Sequence, residues 1–225
     1  MLSLRPVLGG SNSSCQRVLD IGSGPGWFVW LLRMMGHEAH GMEPLSCDPS
    51  MTKVNMTQLL HIRPVDHRIQ PLTRMPPPTC KYDVISAFLL CFDQTCGGLE
   101  PTKEHGWSTT DWQFWLTDVM CHFLAPGGSA LLQLQPYANR SATNMLEAAR
   151  RINSDASQRY QTRGKTKDVM RVRTRKHTDL QGISKRTQVD VNFHEITSLR
   201  LPPAAACAML GQRPFAQNQK CSPGP

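Results

Sequence analysis

The run Asp20-Ile21-Gly22-Ser23-Gly24-Pro25-Gly26 concentrates the residue types that let a backbone approach a ligand. A turn that presses against a bound molecule needs positions without a Cβ. Gly22 and Gly24 allow that approach, and Gly26 lets a following helix pack close to its strand. Glu43 lies 17 positions beyond Gly26. A carboxylate there can accept hydrogen bonds from both hydroxyls of a ribose. The glycines run G-x-G-x-G, whereas a dinucleotide site carries G-x-G-x-x-G and sets a pyrophosphate on a helix N-terminus. Asp20, two residues before the first glycine, repels phosphate and suits a cation. The charge pattern therefore favours a cationic nucleoside such as S-adenosylmethionine, which has a sulfonium, an ammonium and no phosphate, over NAD.

Residues 17–21 (RVLDI) form an apolar strand that ends on this turn, and WFVWLLRMM reads as a buried helix stopped by Gly36. Residues 38–42 (EAHGM) are a second strand that delivers Glu43. Strand, turn, helix and strand within about 30 residues make a βαβ unit. A helix over 51–61, a third strand over 67–72, a fourth in KYDVISAFLL and a fifth in SALLQLQP follow. A helix opens at Thr109-Thr110-Asp111 and runs to about Leu124, where APGG ends it. The alternation predicts an α/β fold with a doubly wound, mostly parallel sheet.

VLDIGSGPGWFVWLLRMMGHEAHGMEP resembles the first motif of class I S-adenosylmethionine-dependent methyltransferases. KYDVISAF is similar to their fourth strand, and FLAPGGSALLQLQ to their fifth. The resemblance covers roughly residues 15–155 and extends to bacterial members of unassigned substrate. It implies a Rossmann-like methyltransferase fold, S-adenosylmethionine as cofactor, and transfer of its methyl group to an unidentified acceptor. By the same resemblance, Asp20, Gly22, Ser23, Gly24 and Gly26 border the methionine moiety. Asp20 then orients its ammonium through water or loop amides. Glu43 holds the ribose, and Pro44 and Leu45 border the adenine. Ser86, Ala87 and Phe88 lie beside the methionine carboxylate and the sulfur. Two departures stand out. Gln70-Pro71-Leu72 replaces the acid that often accepts the adenine amino group, leaving Gln70 or the Leu72 backbone for that contact. No Asn/Asp-Pro-Pro-Tyr segment follows the fourth strand, which argues against methylation of DNA-base amino groups.

No residue is singled out as catalytic. Asp93, Glu100, Glu104, His105 and Asp111 are candidate bases, with Asp111 read first as a helix cap. Trp107, Trp112 and Trp115 are candidate walls of an acceptor pocket; Trp112 and Trp115 are also spaced i, i+3 as on a buried helix face, with core packing put ahead for Trp115 and Trp107 left open. The net charge of +8 is local: residues 159–186 hold 10 basic and 2 acidic side chains, so the remaining 15 of each sign cancel. That segment reads as a solvated face before it reads as a nucleic-acid site. The eight cysteines show no Cys-x-x-Cys spacing, so no metal site is expected and reduced thiols are. No apolar run is long enough for a membrane helix, and no secretory signal is evident, so a cytoplasmic protein with no membrane partner is expected.

The expected organisation is a cofactor-binding domain over 1–155 and a divergent basic region with a loose tail over 156–225. Only 169–175 and 189–193 offer further strands, so the sheet is open to being incomplete at its C-terminal edge. A small-molecule acceptor is the expected partner. The alternatives are a non-catalytic methyltransferase-like binding module and an RNA methyltransferase or RNA-binding protein that uses the basic segment.

Overall fold

A computed structural model describes residues 15–47, 51–90, 106–134, 139–159, 170–176, 192–198 and 207. Its strands are β1 (Arg17–Ile21), β2 (Glu38–Met42), β3 (Tyr82–Leu90), β4 (Leu124–Leu134), β5 (Met170–Lys176) and β6 (Asn192–Ser198). They form one sheet in the order β2-β1-β3-β4-β6-β5. β2, β1, β3 and β4 run parallel to one another, and β6 runs antiparallel to both β4 and β5. The helices are α1 (Trp27–Met34), α2 (Thr52–Leu59), α3 (Thr109–Asp118) and α4 (Asn139–Arg159).

Alternating side chains bury both faces of the sheet. Val18, Val84 and Leu131 pack with Val29 and Leu32 of α1. Leu19, Ile85 and Leu132, each one position further on, pack with the α3 and α4 side chains. Leu32 is fully buried, and a leucine so placed contributes about 1.5–3 kcal/mol through removal from water. The sequence placed β1 and β2 at the bounds observed. α1 also stops where expected. Gly36 takes φ 86°, His37 N donates to Leu32 O at 3.0 Å, and Gly36 N donates to Arg33 O at 3.0 Å. These two bonds satisfy carbonyls that the end of the helix would otherwise leave unpaired.

Three elements differ from expectation. The third strand over 67–72 does not form. A single parallel bridge joins Met42 to Val65, with Val65 N bonded to Gly41 O at 2.8 Å and Glu43 N to Val65 O at 3.0 Å. Pro71 has no N–H to extend a ladder, and Leu72 lies in left-handed backbone at φ 55°. The helix expected to reach Leu124 changes to a π-helical turn over Val119–Phe123, and β4 begins at Leu124, ahead of the APGG turn. The C-terminal edge, where the sheet was open to being incomplete, carries β6 and then β5. Their positions lie within a few residues of 169–175 and 189–193. α4 runs to Arg159, across position 155. No helix among the described residues is long and apolar enough to cross a membrane.

Candidate functional site

β1 delivers the glycine turn to the carboxyl end of the sheet, and β2, paired beside it, delivers Glu43 to the same end. Gly22, Gly24 and Gly26 all adopt left-handed backbone, at φ 71°, 53° and 88°. For an L-residue that conformation costs roughly 1–2 kcal/mol, which accounts for all three glycines. Gly22 N and Ser23 N both donate to Met42 O, at 2.8 and 3.2 Å, and anchor the turn to the end of β2. A Cβ at Gly41 would come within 2.6 Å of Ser23 Oγ, and one at Gly26 within 2.7 Å of Ile62 Cδ1. Gly24 differs: a Cβ there meets no described atom within 4 Å. Gly41 and Gly26 thus serve packing, while Gly24 faces no described atom.

The Glu43 carboxylate turns toward this glycine turn. Its Oε2 accepts from Gly24 N at 2.9 Å, and its Oε1 pairs with Lys53 Nζ from α2. Glu43 is buried, and the Lys53 side chain is about one-third exposed. Asp20 is buried on β1, where its Oδ1 accepts from Ser86 Oγ at 2.7 Å across the β1–β3 pair. Burial, with a smaller push from the Glu43 charge and against the Ser86 hydrogen bond, raises the Asp20 carboxyl to about 7. A buried acid in that state gains most from a cation brought within reach. Ser23 Oγ is buried and finds no hydrogen-bond partner among the described residues. An orphaned hydroxyl of this kind costs about 1–3 kcal/mol unless a ligand or solvent completes it.

Of the residues singled out in the sequence, Asp20, Gly22, Ser23, Gly24, Gly26 and Glu43 come together here, with Ser86 joined through Asp20. Pro44 follows Glu43 directly and is half-buried. Ala87 pairs with Ile21 and is packed in the core. Leu72 is exposed in a local turn closed by Thr73 N and Gln70 O at 3.3 Å, and no described hydrogen bond ties it to the group. Two participants escaped notice in the sequence. Lys53 has no local signal, because its approach to Glu43 depends on where α2 docks. Asp66 directly follows the bridged Val65, and its Oδ1 accepts from Leu45 N at 3.0 Å, beside the loop that follows Glu43. The shifted third segment therefore brings an acid to the neighbourhood where Gln70-Pro71-Leu72 offered none.

The structure decides between the two readings of the tryptophans. Trp107, Trp112 and Trp115 are all fully buried and pack edge to face, with centroids 5.2–6.4 Å apart. They form core rather than a pocket wall. Asp111 is the third residue of a capping box: Ser108 N donates to Asp111 Oδ2 at 2.8 Å, and Asp111 N to Ser108 Oγ at 3.3 Å. Asp93, Glu100, Glu104 and His105 lie outside the described residues. The expectation of reduced thiols is corrected. Cys121 and Cys207 form a disulfide with Cα atoms 4.8 Å apart, Cys80 is disulfide-bonded as well, and Cys15 is free.

No protein-family model matches the sequence, and no curated protein matches it. Solved structures do match the fold. A methyltransferase from Pyrococcus furiosus aligns at 13% identity over 88% of this chain and 80% of that one, with a TM-score of 0.50. The PH0226 protein from Pyrococcus horikoshii OT3 aligns at 10% identity over 87% of each chain, also at 0.50. An S-adenosylmethionine-dependent methyltransferase from Mesorhizobium loti aligns at 12% identity over 86% and 95%, at 0.48. The architecture is the Rossmann-like fold of class I methyltransferases.

Proposed function

We propose that the chain is an S-adenosylmethionine-dependent methyltransferase whose cofactor lies against the turn at 22–26. One observation carries the reading: the buried Glu43 carboxylate is directed onto the N–H of Gly24, where a Cβ would meet no described atom within 4 Å. The residues fit the cofactor in three further ways. Asp20 offers a buried carboxyl for the ammonium. Ser23 offers an orphaned hydroxyl. Glu43 offers acceptors for the ribose hydroxyls once its bonds to Gly24 N and Lys53 are shared or exchanged.

When bound, the cofactor supplies an electrophilic methyl group, and alignment with the acceptor supplies much of the acceleration. The chain's own contribution is to grip and orient. Glu43 fixes the sugar, and Pro44 and Leu45 border the base. Asp66 is placed to serve the adenine amino group in the role that Leu72 and Gln70 were expected to fill. Ser86 holds the Asp20 carboxyl in one orientation. Ala87 contributes backbone in the carboxyl-terminal half of β3. The acceptor is a nucleophile on a small molecule or a macromolecule, with a small molecule preferred. Residues 1–155 carry the site, and 156–225 supply the strands that close the sheet.

Isothermal calorimetry with S-adenosylmethionine and S-adenosylhomocysteine tests the reading. Saturable binding that Glu43→Ala weakens by at least tenfold is expected. A folded wild-type chain with no heat of binding at millimolar ligand overturns it.

A further inference from the structure

The π-helical turn after α3 creates a second cluster, outside the glycine site. Cys121, His122 and Cys207 are all buried, and one donor atom from each lies within 4.8 Å of the others. Wide helical turns of this kind recur where a helix carries function. Here the turn closes through Leu124 N to Val119 O and projects two consecutive ligand-type side chains into the interior. Cys207 comes from 86 residues away.

A disulfide alone accounts for the two sulfurs but leaves two features unexplained. The first is His122, whose Nδ1 lies 3.6 Å from Cys121 Sγ. A tetrahedral ion with a sulfur at about 2.3 Å and a nitrogen at about 2.05 Å holds those two donors about 3.6 Å apart. The second is Asp118. Its Oδ1 is buried, has no hydrogen-bond partner among the described residues, and stands 3.8 Å from His122 Nε2. Asp118 Oδ2 accepts from Met75 N at 3.4 Å, which keeps the carboxylate on that side. A carboxylate behind the far nitrogen of a histidine is the usual outer support of a metal-binding imidazole.

We propose that Cys121, Cys207 and His122 Nδ1 bind a soft divalent cation of the zinc class whenever the cysteine pair is reduced, with Asp118 positioning the imidazole. The conversion balances. A thiol or phosphine reductant delivers two electrons, and two protons complete the pair of thiols. The incoming M²⁺ displaces those two protons, leaving two thiolates, one neutral imidazole and no net charge at the centre. The fourth tetrahedral position falls to a small exogenous ligand. The same three residues thus hold the Cys207 segment to the core in two ways, by a covalent bond when oxidised and by an ion when reduced.

The test uses the full chain, reduced with a phosphine and titrated with Co²⁺ alone. Expected are a thiolate-to-cobalt charge-transfer band and intense tetrahedral d–d bands that saturate at one ion per chain and vanish on adding Zn²⁺. Cys207→Ser and His122→Ala lose the charge-transfer intensity or the tetrahedral bands. Asp118→Asn keeps the spectrum but weakens the affinity by about 10–100-fold. Because the wild-type titration is read directly, a variant that misfolds does not blunt the test. The proposal is overturned if the folded, reduced chain shows no such bands. It is equally overturned if thiol counting shows that the Cys121–Cys207 bond survives the reductant in the folded state, or if Cys207→Ser retains the full spectrum.

Discussion

Asp20 carries a titration that can be read in binding. Its carboxyl is held near 7, chiefly by burial, against an ordinary value of 3.8. The charged form is the one that attracts an ammonium, so ligand affinity rises with pH up to about 7 and levels off above it. Below that point the expected loss approaches tenfold per pH unit, measured as Kd for S-adenosylmethionine between pH 5.5 and 8. Asp20→Asn removes the slope. Linkage has the opposite sign for the empty fold. A group whose folded value is raised stabilises most fully below its unfolded value, and that contribution fades as pH climbs from about 4 through about 7. Urea midpoints of the ligand-free chain therefore fall over that window, and fall less in Asp20→Asn.

The glycines separate by role at the same scale. Gly24→Ala incurs the left-handed penalty of about 1–2 kcal/mol and fills the space over the turn, so binding falls further than stability. Gly26→Ala adds a collision with buried Ile62 to the same penalty. Its unfolding midpoint falls further than that of Gly24→Ala. Denaturation and calorimetry on the two variants distinguish the cases.

Among the elements, α3 depends on its start. Ser108→Ala removes the side-chain half of the capping box, the acceptor for Asp111 N, and leaves the backbone N–H that donates to Asp111 Oδ2; it is expected to cost about 1 kcal/mol in urea unfolding, with ligand affinity unchanged. Local cues served well where punctuation and pattern agreed. RVLDI and EAHGM are bounded by glycine or charge, and both appear as strands at the expected limits. They failed where a distant partner decides. A strand was expected over 67–72, yet the pairing that forms is set by Met42 reaching Val65. The change from α to π winding at Val119 has no counterpart in apolar spacing, which continues through Met120 and Phe123. At the site, the turn and Glu43 were legible because strand, turn and helix lie close in sequence. Lys53 and Asp66 were not, since both depend on how α2 and the bridge settle against β2. Trp107 stayed open between core and pocket because an indole in either place has the same sequence signature.

At the scale of the molecule, β6 protects the sheet. It pairs with β4 from Ser129↔Thr197 to Gln133↔Phe193 and offers its other side to β5. Cutting the chain after residue 159 strips β4 of this neighbour and exposes a long apolar edge, the usual template for aggregation. Light scattering of the truncated chain is expected to rise at concentrations where the full chain stays clear. A truncated chain that remains monomeric and binds ligand normally would show that 156–225 is dispensable.

The five indoles divide sharply by exposure. Trp107, Trp112 and Trp115 are sealed in the interior, while Trp27 is 54% and Trp30 40% exposed, and Trp27 follows Gly26 directly. The fluorescence of this chain is therefore two signals in one. A blue-emitting trio lights or dims with the integrity of the fold. A red-emitting pair lies on the first turn of α1, just past the glycine turn, where an arriving ligand is expected to change its emission. A quench at long wavelength with the short-wavelength emission unmoved would mark occupancy, and the reverse would mark melting, with no label attached.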